Sequence, residues 1–102
     1  MAEFVLGQEH EFQEGKGRAF NAGGKIVAVF RSRDKFYAIN NKCTHKGASM
    51  CEGDITPDGK YVRCPWHNWS FDLSTGVSPL NSAERQRMYQ VEVKDGAVVL
   101  MV

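Results

Sequence analysis

All three cysteines and two of the three histidines of this 102-residue chain fall in two short stretches, "CTHKGASMC" at 43–51 and "CPWHNWSFD" at 64–72. Four of these residues have the spacing of ligands: Cys43-x-His45, eighteen intervening residues, then Cys64-x-x-His67. Thiolate and neutral imidazole are ligands for zinc and for iron–sulfur clusters, and four of them complete one centre. Zinc fingers and ribbons usually place two cysteines or two histidines together in a short stretch. Here each stretch supplies one of each. If both cysteines bind one iron and both histidines a second, each stretch must reach both metals, and mixed pairs achieve that. The residues alone leave two readings, a zinc staple or a binuclear iron centre held by Cys43, His45, Cys64 and His67.

Composition limits what can position such a centre. The length suits a single domain over 1–102, with a modest core and no separate catalytic unit. With 13 basic and 12 acidic residues the formal charge is +1, too small a field to argue for nucleic acid or an anionic membrane as partner. The longest apolar run, "AVVLMV" at 97–102, is far shorter than a membrane span, and "MAEFVLGQEHEF" lacks a basic region followed by an apolar one. Three cysteines suit no disulfide framework. A reducing compartment, the cytoplasm, is the expected location.

The elements follow from apolar residues that mostly recur with period two. "RAFNAGGKIVAVFR" predicts strands at 18–22 and 25–31 joined at Gly23-Gly24, "SRDK" a turn, and "FYAIN" a strand at 36–40. "MYQVEV", Asp95-Gly96 and "AVVLMV" repeat the strand, tight turn, strand pattern. "NSAERQRM" at 81–88 predicts a short helical turn begun by Asn81 or Ser82. Between the hairpins, 41–80 is rich in glycine and proline, with "KYVRC" and "WSFDL" as its expected strands. The fold class is all-β, with a small loop-rich subdomain at about 41–80 that needs a staple beyond its own core.

With these elements in place, the chain resembles the Rieske-type 2Fe-2S ferredoxins. "CTHKGASM" is similar to the first cluster loop of that family and "CPWHNWSFDLSTG" to the second, and the flanks "GGKIVAVFRSRDKFYAINNKC" and "YQVEVKDGAVVL" are similar to its strand segments. The resemblance implies an antiparallel β-sandwich or barrel body with a cluster-binding subdomain. It also implies one 2Fe-2S cluster, with Cys43 and Cys64 on the inner iron and His45 and His67 on the outer iron near the surface. Two neutral imidazoles in place of two thiolates remove negative charge, so an added electron costs less than in an all-cysteine cluster. The outward imidazole N–H groups would be the electron's port and would make the potential pH-dependent at high pH.

High-potential members of the family carry a disulfide across the cluster and hydroxyl donors to its sulfurs. The corresponding positions here are Ala48 and Trp66 for the bridge, and Trp69 and Phe71 for the hydroxyls. Fewer donors imply a potential toward the lower end of the range of about −150 to +300 mV for such centres. Cys51 is expected to be an inert small side chain and His10 a solvated surface residue. Trp66, Trp69, Phe71 and Met50 could shield the cluster and form an apolar docking patch, or equally a small core. Lys42, Lys46, Lys60 and Arg63 against Glu52, Asp54 and Asp58 give a near-neutral balance around the islands, and Pro79 comes only three residues after Gly76, earlier than the usual family proline.

These features imply a soluble one-electron carrier between a reductase and a terminal oxygenase, which itself breaks no substrate bond. An oxygenase acting alone would need two further histidines and a carboxylate for a mononuclear iron, and only His10 is left. The alternatives are a small subunit of an assimilatory nitrite reductase, a zinc-stapled interaction module, and a redox sensor with a downstream effector.

Overall fold

The structure, a computed structural model, describes residues 2–41, 49–64, 70–79 and 85–101. Its nine strands are β1 (Glu3–Gln8), β2 (Gly17–Ala22), β3 (Lys25–Ser32), β4 (Lys35–Asn40), β5 (Asp54–Ile55), β6 (Tyr61–Arg63), β7 (Ser70–Asp72), β8 (Met88–Lys94) and β9 (Ala97–Met101). Single 3-10 turns occupy Glu9–Glu11 and Met50–Glu52. Among the described residues no helix is long and apolar enough to cross a membrane.

Six strands form one sheet in the order β1-β9-β8-β4-β3-β2, curled into a nearly closed barrel, and β5-β6-β7 form a second, smaller sheet. Neighbouring strands are antiparallel throughout. Two-residue turns set the register of the hairpins because their left-handed backbone matches the twist of the paired strands. Gly23-Gly24 supply it with φ of +60° and +85°, and Asp95-Gly96 with +51° and +80°. The β3–β4 turn uses the same geometry without glycine, at Arg33 (φ +52°) and Asp34 (φ +63°). Its cost is offset by hydrogen bonds: the Glu14 carboxylate accepts from the Arg33 N–H at 2.6 Å, and Arg31 donates to the Asp34 carboxylate at 3.0 Å.

Strand β3 explains how two sheets make one body. Its run "KIVAVF" is apolar on both faces, and Val27, Ala28, Val29 and Phe30 are all fully buried. Alternation sends Val27 and Val29 inward, to a cluster with Phe12, Ala22, Ala38, Val98 and Leu100. It sends Ala28 and Phe30 outward, to a second cluster with Ile39, Met50, Val62, Cys64, Phe71 and Leu73. The small sheet therefore packs on the outer face of the barrel through a true apolar core. Burying a side chain the size of Phe30 or Phe71 contributes about 2–3 kcal/mol.

Some expectations need correction. The segment 41–80 owes more to a core than its glycine and proline content predicts, since Phe30 and Ile39 of the barrel supply the apolar surface that it lacks alone. Strands β1 and β5 are additional to those read from the pattern. Of the expected helical turn at 81–88, the described part is extended: Arg85 bridges Val77, and Met88 begins β8. The bridge to Val77 and the pairing of Met88 with Ile39 of β4 outweigh the helix preference of a short polar run. Asn81 and Ser82 lie outside the described residues.

Candidate metal centre

Of the four expected ligands, Cys64 is the one that the structure describes. It directly follows β6, only 1% exposed, and its side chain belongs to the apolar cluster of Phe30, Ile39, Met50, Val62, Phe71 and Leu73. Cys43, His45 and His67 lie outside the described residues, together with Lys42, Lys46, Ala48, Trp66 and Trp69. Among the described residues no three metal-ligating side chains converge. The structure does define the frames from which the segments with the expected ligands spring.

The first segment leaves the end of β4. The Asn41 carbonyl accepts from the Met50 N–H at 2.6 Å, and its side-chain Oδ1 accepts from the Cys51 N–H at 3.0 Å, which closes the segment at its base. Cys64 directly follows the pair Arg63 and Ser70, at which the β6–β7 ladder ends. A third segment is pinched where Val77 bridges Arg85.

These bases are stitched to one another. Gly53 follows the 3-10 turn of the first segment and lies so close to β6 that an added methyl would run into the Arg63 carbonyl, with the Met50 carbonyl 3.1 Å away. Its φ of −73° is ordinary, so glycine is required there by proximity alone. On the other side, the buried Gln86 side chain donates to the Asn40 carbonyl at 2.9 Å, and the Asn40 N–H donates to the Arg87 carbonyl at 2.8 Å. The third segment is thereby fastened to the end of β4, one residue before the first segment begins.

The remaining sequence candidates are placed as follows. Met50 and Phe71 are fully buried, so neither belongs to an exposed docking patch. Cys51 is half-buried against the outer cluster. Burial, reinforced by Glu52, pushes its thiol pKa up despite a hydrogen bond from its own backbone, which keeps it protonated and unreactive. His10 is exposed. Arg63, Glu52 and Asp54 are exposed near the two loop bases. Lys60 and Asp58 lie instead at the start of β6, lining a groove of about 400 Å³ with Arg33, Lys35 and Asp72. Pro79 is exposed at the start of the third segment.

Asp72, within the second motif, anchors the turn after β7. Its carboxylate accepts from the Ser74 N–H at 2.8 Å, the Ser74 hydroxyl at 2.6 Å and the Thr75 N–H at 3.3 Å. Burial alone would raise its pKa. These hydrogen bonds, with Lys60 nearby, outweigh burial and hold the carboxyl below the usual range.

Three residues of this framework escaped the sequence reading: Asn41, Gly53 and Gln86. The available signals were a carboxamide immediately before the first ligand segment and a glycine just after Cys51. Gln86 sat in the run 81–88 that was read as a short helical turn.

The residues present fit an iron–sulfur cluster. The thiol of Cys64, the expected ligand among the described residues, is withheld from water in an apolar shell at the mouth of a hairpin, and Cys2His2 is the donor set that such a binuclear centre takes. Comparison with known proteins agrees. The family model of the Rieske 2Fe-2S domain matches residues 2–93. Ferredoxin CarAc of Metapseudomonas resinovorans is 40% identical over 91 residues, covering 86% of this chain and 82% of the relative. The anthranilate 1,2-dioxygenase ferredoxin subunit of Burkholderia cepacia is 37% identical over 100 residues, covering 95% and 89%. Among solved structures, the ferredoxin of carbazole 1,9a-dioxygenase from Nocardioides aromaticivorans IC177 superposes with a TM-score of 0.90 at 28% identity, covering 98% of this chain and 97% of that one. A nitrite reductase small subunit from Mycobacterium tuberculosis superposes as well, with a TM-score of 0.91 over 97% of this chain and 93% of that one, but at 22% identity it speaks for the fold alone. The sequence motifs, the two-sheet fold and the family match lead to one conclusion: the chain belongs to the Rieske 2Fe-2S domain family.

Proposed function

We propose that this protein is a cytoplasmic one-electron carrier that takes an electron from a reductase and passes it to a terminal oxygenase. In this reading Cys43 and Cys64 hold one iron of a 2Fe-2S cluster, and His45 and His67 hold the other. The observation that carries it is the placement of Cys64, buried in an apolar cluster at the end of β6 and followed closely in the sequence by His67. Likeness in sequence to ferredoxins, at 37–40% identity, favours the carrier over a nitrite reductase subunit, for which the fold is shared and the sequence is not close.

The bound cluster supplies a centre that accepts and releases one electron with no bond made or broken in a substrate. The chain supplies its surroundings. Phe30, Met50, Val62, Phe71 and Leu73 exclude water from the Cys64 side, which keeps its thiolate from competing protons. His45 and His67 would hold the cluster through one ring nitrogen each, which would leave the other N–H as a donor to solvent or partner.

The test is visible absorption and low-temperature EPR of protein purified without oxygen, before and after dithionite. The expected result is a red-brown sample that bleaches and develops a rhombic signal with average g below that of all-cysteine centres. A colourless, EPR-silent protein containing stoichiometric zinc would sink the electron-carrier reading.

A further inference from the structure

Strand β4 ends at Asn40, and the next residue holds three backbone groups at once. The Asn41 N–H donates to the Ile26 carbonyl at 3.1 Å, its carbonyl accepts from Met50, and its side-chain Oδ1 accepts from Cys51. Met50 and Cys51 are the first two residues of a 3-10 turn whose opening N–H groups have no partner within the turn. The residue in the cap position, Ser49, makes no side-chain cap. Asn41 takes over that role from ten residues upstream, one donor going to its carbonyl and the next to its carboxamide.

The geometry suits asparagine. Its carboxamide oxygen lies within reach of a second N–H adjacent to the one that its own carbonyl already binds. Serine is too short to do so and glutamine one methylene too long. The capped turn is also the piece that meets the second loop base, because Met50 is buried in the cluster with Cys64 and Gly53 abuts Arg63. Asn41 is thus bonded to Met50 and Cys51 across the stretch of sequence that contains Cys43 and His45.

We propose that Asn41 is a positioning residue: its side chain sets the first ligand segment relative to Cys64 and thereby the electronic structure and retention of the cluster. The proposal rests on Cys43 and His45 being ligands.

The experiment compares the wild-type holoprotein with Asn41→Ala and Asn41→Asp, all purified anaerobically. The readouts are EPR g values, nitrogen hyperfine coupling and the rate of iron release to a chelator. Asn41→Ala is expected to shift the g values and to release iron about tenfold faster, as loss of a group that orients a ligand does. Asn41→Asp, which keeps an acceptor oxygen at the same reach, is expected to retain the wild-type g values. Should Asn41→Ala fail to fold, Asn41→Ser takes its place with the same expected shift. Wild-type g values and release rate in the alanine or serine variant would overturn the proposal, as would an aspartate variant shifted as far as the alanine one. Absence of nitrogen coupling in the wild type would overturn the ligand assignment and this proposal with it. Nitrogen coupling with an unaffected alanine variant would overturn the positioning role alone.

Discussion

Asp72 and Phe71 are neighbours on β7 and make opposite use of it, one binding the following turn and the other filling the outer core. Because hydrogen bonding holds the Asp72 carboxyl below its ordinary pKa, its charged form stabilises the fold above the ordinary carboxylate range. That contribution is lost as pH falls through the depressed value. Asp72→Asn should therefore lower stability at pH 7 by about 1 kcal/mol, with the gap to wild type closing in acid. Denaturant melts at several pH values would show it, and parallel pH profiles would contradict it. Phe71 lies in the same apolar cluster as Cys64 and brings no hydroxyl. Phe71→Tyr should raise the midpoint potential, since a hydrogen bond to sulfur worth about 1 kcal/mol corresponds to about 40 mV for one electron. An unchanged potential in a redox titration would mean that the hydroxyl does not reach a sulfur.

At the scale of elements, the ligand segments depend on how closely the small sheet seats against its neighbours. Gly53 has no room for a methyl between the Arg63 and Met50 carbonyls, so Gly53→Ala must push the Met50–Glu52 turn and β6 apart. The expected outcome is a loss of about 1–3 kcal/mol and a lower iron content per chain, measured by melting and metal analysis. A variant with wild-type melting and full iron would show that the two bases are not rigidly coupled. The hairpins themselves were legible in the sequence, because Gly23-Gly24 and Asp95-Gly96 are the residue types that left-handed turns require. Strand β1 was not. Its Phe4 and Leu6 pack inward, but a register shift between Val5 and Gly7 interrupts the alternation that would have marked it. β5, two residues long, carries too short a pattern to read.

On the scale of the whole molecule, the two apolar clusters divide the labour. Among the described residues the inner one, built on Val27, Val29, Val98 and Leu100, contains no candidate ligand, whereas the outer one contains Cys64. Removing the metal should therefore loosen the outer layer first. Hydrogen exchange on apoprotein is expected to show continued protection in β2, β3, β8 and β9, with faster exchange through residues 49–64 and 70–79. Uniform loss of protection would show that barrel and small sheet fold as one unit only when metal is bound.

The cysteines and histidines pointed to metal chemistry before any fold was known. The identity and spacing of candidate ligands are local properties, and Cys43-x-His45 with Cys64-x-x-His67 stand out whatever the chain around them does. Tight turns and alternating strands are equally local, which is why the all-β class and most of the hairpins could be read directly. The tertiary fold alone revealed that the segment between the candidate ligands has an apolar core, because part of that core, Ala28, Phe30 and Ile39, belongs to barrel strands outside the segment. It also decided that Asn41 and Gln86 brace the loop bases. A polar side chain on a single line of sequence looks the same facing water as it does facing an unpaired backbone group, and burial by remote strands makes the difference.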